Sequence, residues 1–194
     1  MENYIKIIEE YRKTQNNNLL TVFACKSNNE KQPEELRDQN YWPRVRLIKT
    51  LWENYTAADK PLLKWLIKEE VKAQQECMMP VYALDIAAYM LYKYMDLSDV
   101  FDLFLAKFAS SNEFYLDIEL VFGYNRVETK HYLQTEGADQ QYAKDILRTI
   151  ESYEDALSQG AIYKDRDAYV KYFEERKIKI LFNELENAKA FYKE

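Results

Sequence analysis

The chain has 194 residues, of which 27 are Lys or Arg and 33 are Asp or Glu, for a formal net charge of −6. That balance disfavours nucleic-acid binding, which needs clustered Lys and Arg against phosphate. Only three glycines and four prolines are present, too few for hairpin-rich β architecture or a Gly-rich phosphate loop. No run reaches the apolar length of a membrane span, and MENYIKIIEEYRK lacks the order of a signal peptide, so a cytoplasmic protein without membrane contact is expected.

The first element is an amphipathic helix carrying Tyr4, Ile5, Ile8 and Tyr11, ended by the polar run Gln15-Asn16-Asn17-Asn18. Leu19 to Cys25 is apolar and too short for periodicity to decide its type. Lys26 to Gln32 reads as a charged loop, and Pro33-Glu34-Glu35 as a helix start. From Pro43, a face of Val45, Ile48, Leu51, Trp52 and Tyr55 predicts a helix. Asp59 before Pro61 predicts the cap of the next, whose Leu62, Leu63, Trp65, Leu66, Ile67 and Val71 cover more than half its circumference. Pro80 opens a further helix with Leu84, Ala88, Leu91, Tyr92 and Met95 turned inward.

Leu97, Val100, Phe101, Phe104, Leu105 and Phe108 share one helical stripe, with Ser98 placed as N-cap and Ser110-Ser111-Asn112 as terminator. Residues 113–122 fit either period. The helix reading is adopted because the neighbours are helical, a lone strand leaves its ladder unpaired, and Gly123 suits a left-handed C-cap. Being apolar nearly all round, that segment is the expected central buried helix. A short helix over 127–133 follows, capped by Asn125. After Gly137, Asp139 is placed as the cap of a helix bearing Tyr142, Ala143, Ile146, Leu147, Ile150, Tyr153 and Leu157, ended by Gly160. The last helical region, 165–192, has Arg176 and Lys177 on its seam, which predicts a kink or break there. The pattern amounts to an all-α, single-domain irregular bundle of about seven to eight helices without a clear solenoid repeat. Within 1–194, residues 1–42 are expected to be looser and 138–194 to form a C-terminal helical hairpin.

Few residues carry chemistry. Glu128 and His131 form an ExxH spacing that turns a carboxylate and an imidazole to one side of a helix. With a single histidine in the chain, the two-metal version is excluded. A one-metal or acid–base site with Asp117 or Glu119 is the enzymatic alternative. Cys25 and Cys77, without CxxC or a Cys/His cluster, read as buried free thiols. No residue is assigned as catalytic, metal-binding or cofactor-binding, and no cofactor is expected.

The charge pattern is more suggestive. Asp96, Asp99 and Asp102 recur at helical spacing opposite the Phe stripe, and Asp85, Glu113, Asp117 and Glu119 are candidates to extend them into an acidic ridge. Residues 85–120 hold seven acids against Lys93 and Lys107, a net of −5. Asp117 sits among apolar residues and needs a partner such as Arg126 or an open face. Among seventeen tyrosines, Tyr82, Tyr89, Tyr115 and Tyr124 exceed what the core stripes require, and tyrosine suits protein interfaces.

Leu105-Ala106-Lys107-Phe108, then Leu116-Asp117-Ile118-Glu119-Leu120-Val121-Phe122-Gly123, then Thr129 and Tyr132-Leu133 resemble a pattern of small uncharacterised bacterial helical proteins, some of them suspected relatives of toxin-neutralising immunity proteins. Where that pattern is richer in small residues, this chain has Gly123-Tyr124-Asn125. The resemblance implies a cytoplasmic bacterial protein without known catalysis and transfers no active-site residues. The expected function is therefore non-enzymatic: a surface of Asp96, Asp99, Asp102, Glu113, Asp117, Glu119, Tyr89 and Tyr124 that binds a basic protein partner. Oligomeric state is left open.

Overall fold

Ala83 to Tyr92 are buried without exception, and the other helices are arranged around them. The computed structural model describes residues 2–27, 38–108 and 116–192. Within these the chain is all-α and forms one domain of nine helices: α1 Glu2–Thr14, α2 Tyr41–Asn54, α3 Lys60–Cys77, α4 Tyr82–Lys93, α5 Val100–Phe108, α6 Arg126–Gln134, α7 Ala143–Ser158, α8 Arg166–Tyr172 and α9 Ile178–Phe191. Short 3₁₀ turns join several of them, and Ser27 and Asp38 form an isolated bridge.

The central helix is α4. Ala83, Ala87 and Ala88 keep its surface shallow, and α2, α3, α5 and α9 all pack against it. Leu84, Ile86 and Leu91 are fully buried, each contributing roughly 1.5–3 kcal/mol by leaving water. The central role expected of residues 113–122 is thus corrected. Residues 113–115, like the polar run 110–112 and the helix start at 33–35, lie outside the described residues. Over 116–122 there is one 3₁₀ turn, Ile118–Leu120, preceded by Asp117 in an extended conformation. Asp117 is held there by Lys177 and Tyr169, which prevents a helix from entering the turn. Gly123 has φ +69°, and a Cβ on it would lie 2.4 Å from Thr129 Oγ1, the hydroxyl that donates to Phe122 O at 3.1 Å. The left-handed glycine was legible, although it closes a 3₁₀ turn rather than a helix.

Two other boundaries move. Asp96, rather than Ser98, precedes the turn into α5, with the carboxylate of Asp99 accepting back from the Asp96 N–H at 2.7 Å. A carboxylate makes this reciprocal cap at both ends of the turn, which a serine at the second position does not. α7 starts at Ala143 instead of just after Asp139, because Tyr142 adopts φ +71° and breaks the helical path. α7 packs on α5 and α6, while α9 packs on α4.

The described part of residues 1–42 joins the common core through Ile8, Tyr11, Leu20 and Phe23. Arg44, fully buried, donates from Nε to Glu70 at 2.7 Å, from Nη2 to Asp38 at 2.5 Å and from Nη1 to Phe23 O at 3.0 Å. One guanidinium thus fastens the 3₁₀ segment Asn17–Phe23 to α2 and α3. Cys25 and Cys77 are buried free thiols with their sulfurs 4.0 Å apart.

The break expected near Arg176 is a π-turn, Phe173–Lys177, between α8 and α9, with Ile178 N–H donating to Phe173 O. It brings Phe173 flat against Tyr89, ring centroids 3.8 Å apart, and Trp52, Tyr169 and Phe182 complete the aromatic layer. Of the tyrosines in excess of the core stripes, Tyr89 belongs to this layer.

Candidate functional site

The acids expected to form a ridge are instead matched by lysines from other elements. α3 lies across α5 on the side opposite the Phe stripe. Lys60 Nζ is 2.6 Å from Asp99 Oδ2, Lys64 Nζ is 2.5 Å from Asp99 Oδ1 and 3.2 Å from Asp102 Oδ2, and Lys60 also pairs with Asp96. Asp99 is buried; burial alone would raise its pKa, but the bonds from Lys60 and Lys64 and from the Asp96 amide outweigh it and hold the carboxyl below its ordinary value. Of the three, only Asp96 exposes most of its side chain, at 78%.

A second group lies deeper. Lys177 Nζ sits 2.7 Å from Asp85 Oδ2 and 2.6 Å from Asp117 Oδ2, and the Tyr169 hydroxyl donates to the same Asp117 oxygen at 3.1 Å. Arg126, the partner considered for Asp117, lies over the Phe122 ring instead. Here the balance is reversed. Burial pushes the Asp85 carboxyl up to about 6 despite the pull of Lys177, while Lys177 is itself raised, the two carboxylates outweighing the burial that disfavours its charge. Glu119 is also buried and accepts from Lys164 N–H at 3.2 Å.

The remaining candidates scatter. Tyr89 is in the core with its hydroxyl donating to Glu174 at 2.9 Å, so it presents nothing to a partner. Tyr124 is 51% exposed. Glu113 and Tyr115 lie outside the described residues. Glu128 and His131 are on the exposed face of α6, away from the buried Glu119 and from Asp117 with its lysine. Among the described residues no three His, Cys, Asp or Glu side chains gather in a metal-binding arrangement.

The open acidic surface belongs to a different stretch. Residues 136–167 hold eight acids against Lys144, Arg148, Lys164 and Arg166, a net of −4. Glu136, Asp139, Asp145, Glu151, Asp155, Asp165 and Asp167 are all exposed. Among the described residues, only Asp145 of these seven has an ion-pair partner, Arg148 at 3.8 Å. Two apolar side chains stand among them, Tyr142 at 36% and Ile162 at 93% exposure. The same charge count that singled out 85–120 finds this stretch; sequence does not say which acids meet a lysine on folding.

Beside the end of α7 opens a cleft of about 500 Å³. Its buried lining is Tyr92, Glu119 and Phe122, and its outer lining includes Tyr124, Arg126, Lys164 and Arg166. From sequence, Arg126 was considered only as a partner for Asp117, and none of the three cations was read as lining a cleft, because they are dispersed along the chain between acids. Comparison with family models, with curated proteins and with solved structures gives no match. No described helix is long and apolar enough to cross a membrane.

Proposed function

We propose that the chain is a non-enzymatic binding protein that captures a basic protein partner on the acidic face of α7 and the turns flanking it, and that it acts as a cytoplasmic, toxin-neutralising immunity-type protein. The observation that supports this reading is the open charge of residues 136–167 around the exposed Ile162 and Tyr142. An acidic field steers a basic protein and raises its rate of encounter, and an exposed apolar side chain at either end of α7 adds apolar contact area to that field. The 105–133 resemblance points the same way, since immunity-type proteins work by covering a partner rather than by chemistry of their own.

The test compares two surfaces. The tagged chain, its Glu151→Lys/Asp155→Lys variant and its Asp96→Lys variant are used to capture partners from source-cell lysate at low and high salt. A basic protein held at low salt by the wild type and by Asp96→Lys, and lost from the α7 variant, supports the assignment. Equal retention by the α7 variant, or loss only from Asp96→Lys, overturns it.

A further inference from the structure

We propose that the cleft between the starts of α6 and α8 is a binding site for a small organic oxyanion, held by the guanidinium groups of Arg126 and Arg166. The cleft borders the acidic surface and shares Asp165 and Asp167 with it, but its ligand and its test do not depend on the α7 face.

The cleft's other charges are engaged. Glu119 accepts from the Lys164 amide at 3.2 Å and lies 3.6 Å from its Nζ, Glu154 pairs with Lys130 at 2.7 Å, and Asp165 accepts from Ala168 N–H at 2.8 Å as the cap of α8. Asp167 is exposed at the rim. The two arginines differ from these. Neither has a carboxylate within ion-pair distance among the described residues. In a chain with six surplus acids, two guanidiniums without one in a shared cleft are an unspent charge.

Their geometry also suits a ligand. The Arg166 guanidinium carbon lies 4.3 Å from the centroid of the Tyr124 ring and 5.5 Å from that of Tyr92, and its Nη2 donates to Lys93 O at 2.8 Å. Ring contacts and one backbone acceptor fix its plane and leave Nη1 over. Arg126 lies over Phe122 at 5.2 Å. The Nη1 atoms of both arginines are enclosed by protein and have no acceptor among the described residues. An enclosed charged donor without an acceptor is costly, and an oxyanion in the cleft that both residues line supplies the counter-charge that neither guanidinium has. Guanidinium matches the paired oxygens of phosphate and carboxylate equally. The volume, about 500 Å³, falls within the range of small-molecule sites and well exceeds a bare ion.

The experiment is calorimetric titration of the intact chain with inorganic phosphate and, separately, with succinate, at constant ionic strength set by sodium chloride. Wild type, Arg126→Gln and the surface control Lys171→Gln are compared, with circular dichroism confirming that each is folded. The expected result is binding of at least one of the two anions, weakened tenfold or more by Arg126→Gln and unchanged by Lys171→Gln. Phosphate alone marks the ligand as a phosphorylated molecule, and succinate alone marks it as a carboxylate. Silence with both anions, or equal affinity in wild type and Arg126→Gln, overturns the proposal.

Discussion

Residues 85–120 and 136–167 carry similar acid excesses, net −5 and −4, yet the first is largely buried against lysines and the second lies open. The difference comes from what packs over them. α3 crosses α5 with Lys60 and Lys64, and the π-turn delivers Lys177 to Asp85 and Asp117. Nothing comparable covers the exposed acids of 136–167 among the described residues, apart from the neighbouring Arg148. Charge concentrated in a sequence becomes a surface field only where the fold withholds counter-charges, and the two stretches should respond to mutation in opposite ways.

The largest expected effect is Lys177→Met, which removes the one cation in contact with both Asp85 and Asp117 among the described residues, at a site where Lys177 itself is only 9% exposed. A buried pair broken on one side loses about 3–5 kcal/mol, read as a lowered urea midpoint. A loss under about 1 kcal/mol would mean that water reaches those carboxylates, since solvent-screened pairs are worth no more than that. Next is Asp99→Ala, which removes the reciprocal cap and frees two lysines that retain some access to solvent. About 2 kcal/mol is expected, and an unchanged midpoint would show that the cap contributes nothing.

The two buried aspartates also separate by pH. Asp85 titrates at about 6 in the folded chain against an ordinary 3.8, so between these values the folded state holds more protons than the unfolded one. By linkage its contribution makes stability fall as pH rises from about 4 to 6. Asp99, held low, contributes stability that is present above its ordinary value and is lost as pH falls through its folded one. Asp85→Asn should therefore remove a decline on the neutral side of the pH–stability curve and leave the acid limb in place. If the variant's curve parallels the wild type between pH 4 and 6, Asp85 does not titrate there. The smallest effect on stability belongs to the open region: Glu151→Lys/Asp155→Lys should shift the midpoint by no more than about 0.5 kcal/mol. A large loss would show that these acids support the fold and are not a free surface.

How far the sequence could be read follows the same division. Apolar periodicity is a local signal, and it placed α1, α2, α3, α4 and α6, together with the cap at Asn125, whose Oδ1 accepts from Val127 N–H at 2.8 Å. It misjudged 116–122, where a contact sixty residues away, between Lys177 and Asp117, overrides local preference. Tyr89 was legible as a large amphipathic side chain, but not as one whose ring is covered by Phe173. Asp99 and Asp102 fell on the expected side of α5, but α3 occupies that side. Arg126 was legible only as a candidate partner for Asp117, and Arg166 carried no local signal; as a pair they stand out only once their neighbours are seen to be paired elsewhere.

The π-turn at Phe173–Lys177 has a consequence for the end of the chain. A wider turn places an extra residue in the helical path, and each residue turns an α-helix by about 100°. The apolar stripe of Ile178, Leu181 and Leu185 therefore meets α4 in a register chosen upstream, where Lys177 reaches Asp85. Wound as a regular α-helix with the same number of residues, the segment would carry that stripe about 100° off its seat. The length of the turn, counted in single residues, is the dial that aligns the last helix with the central one.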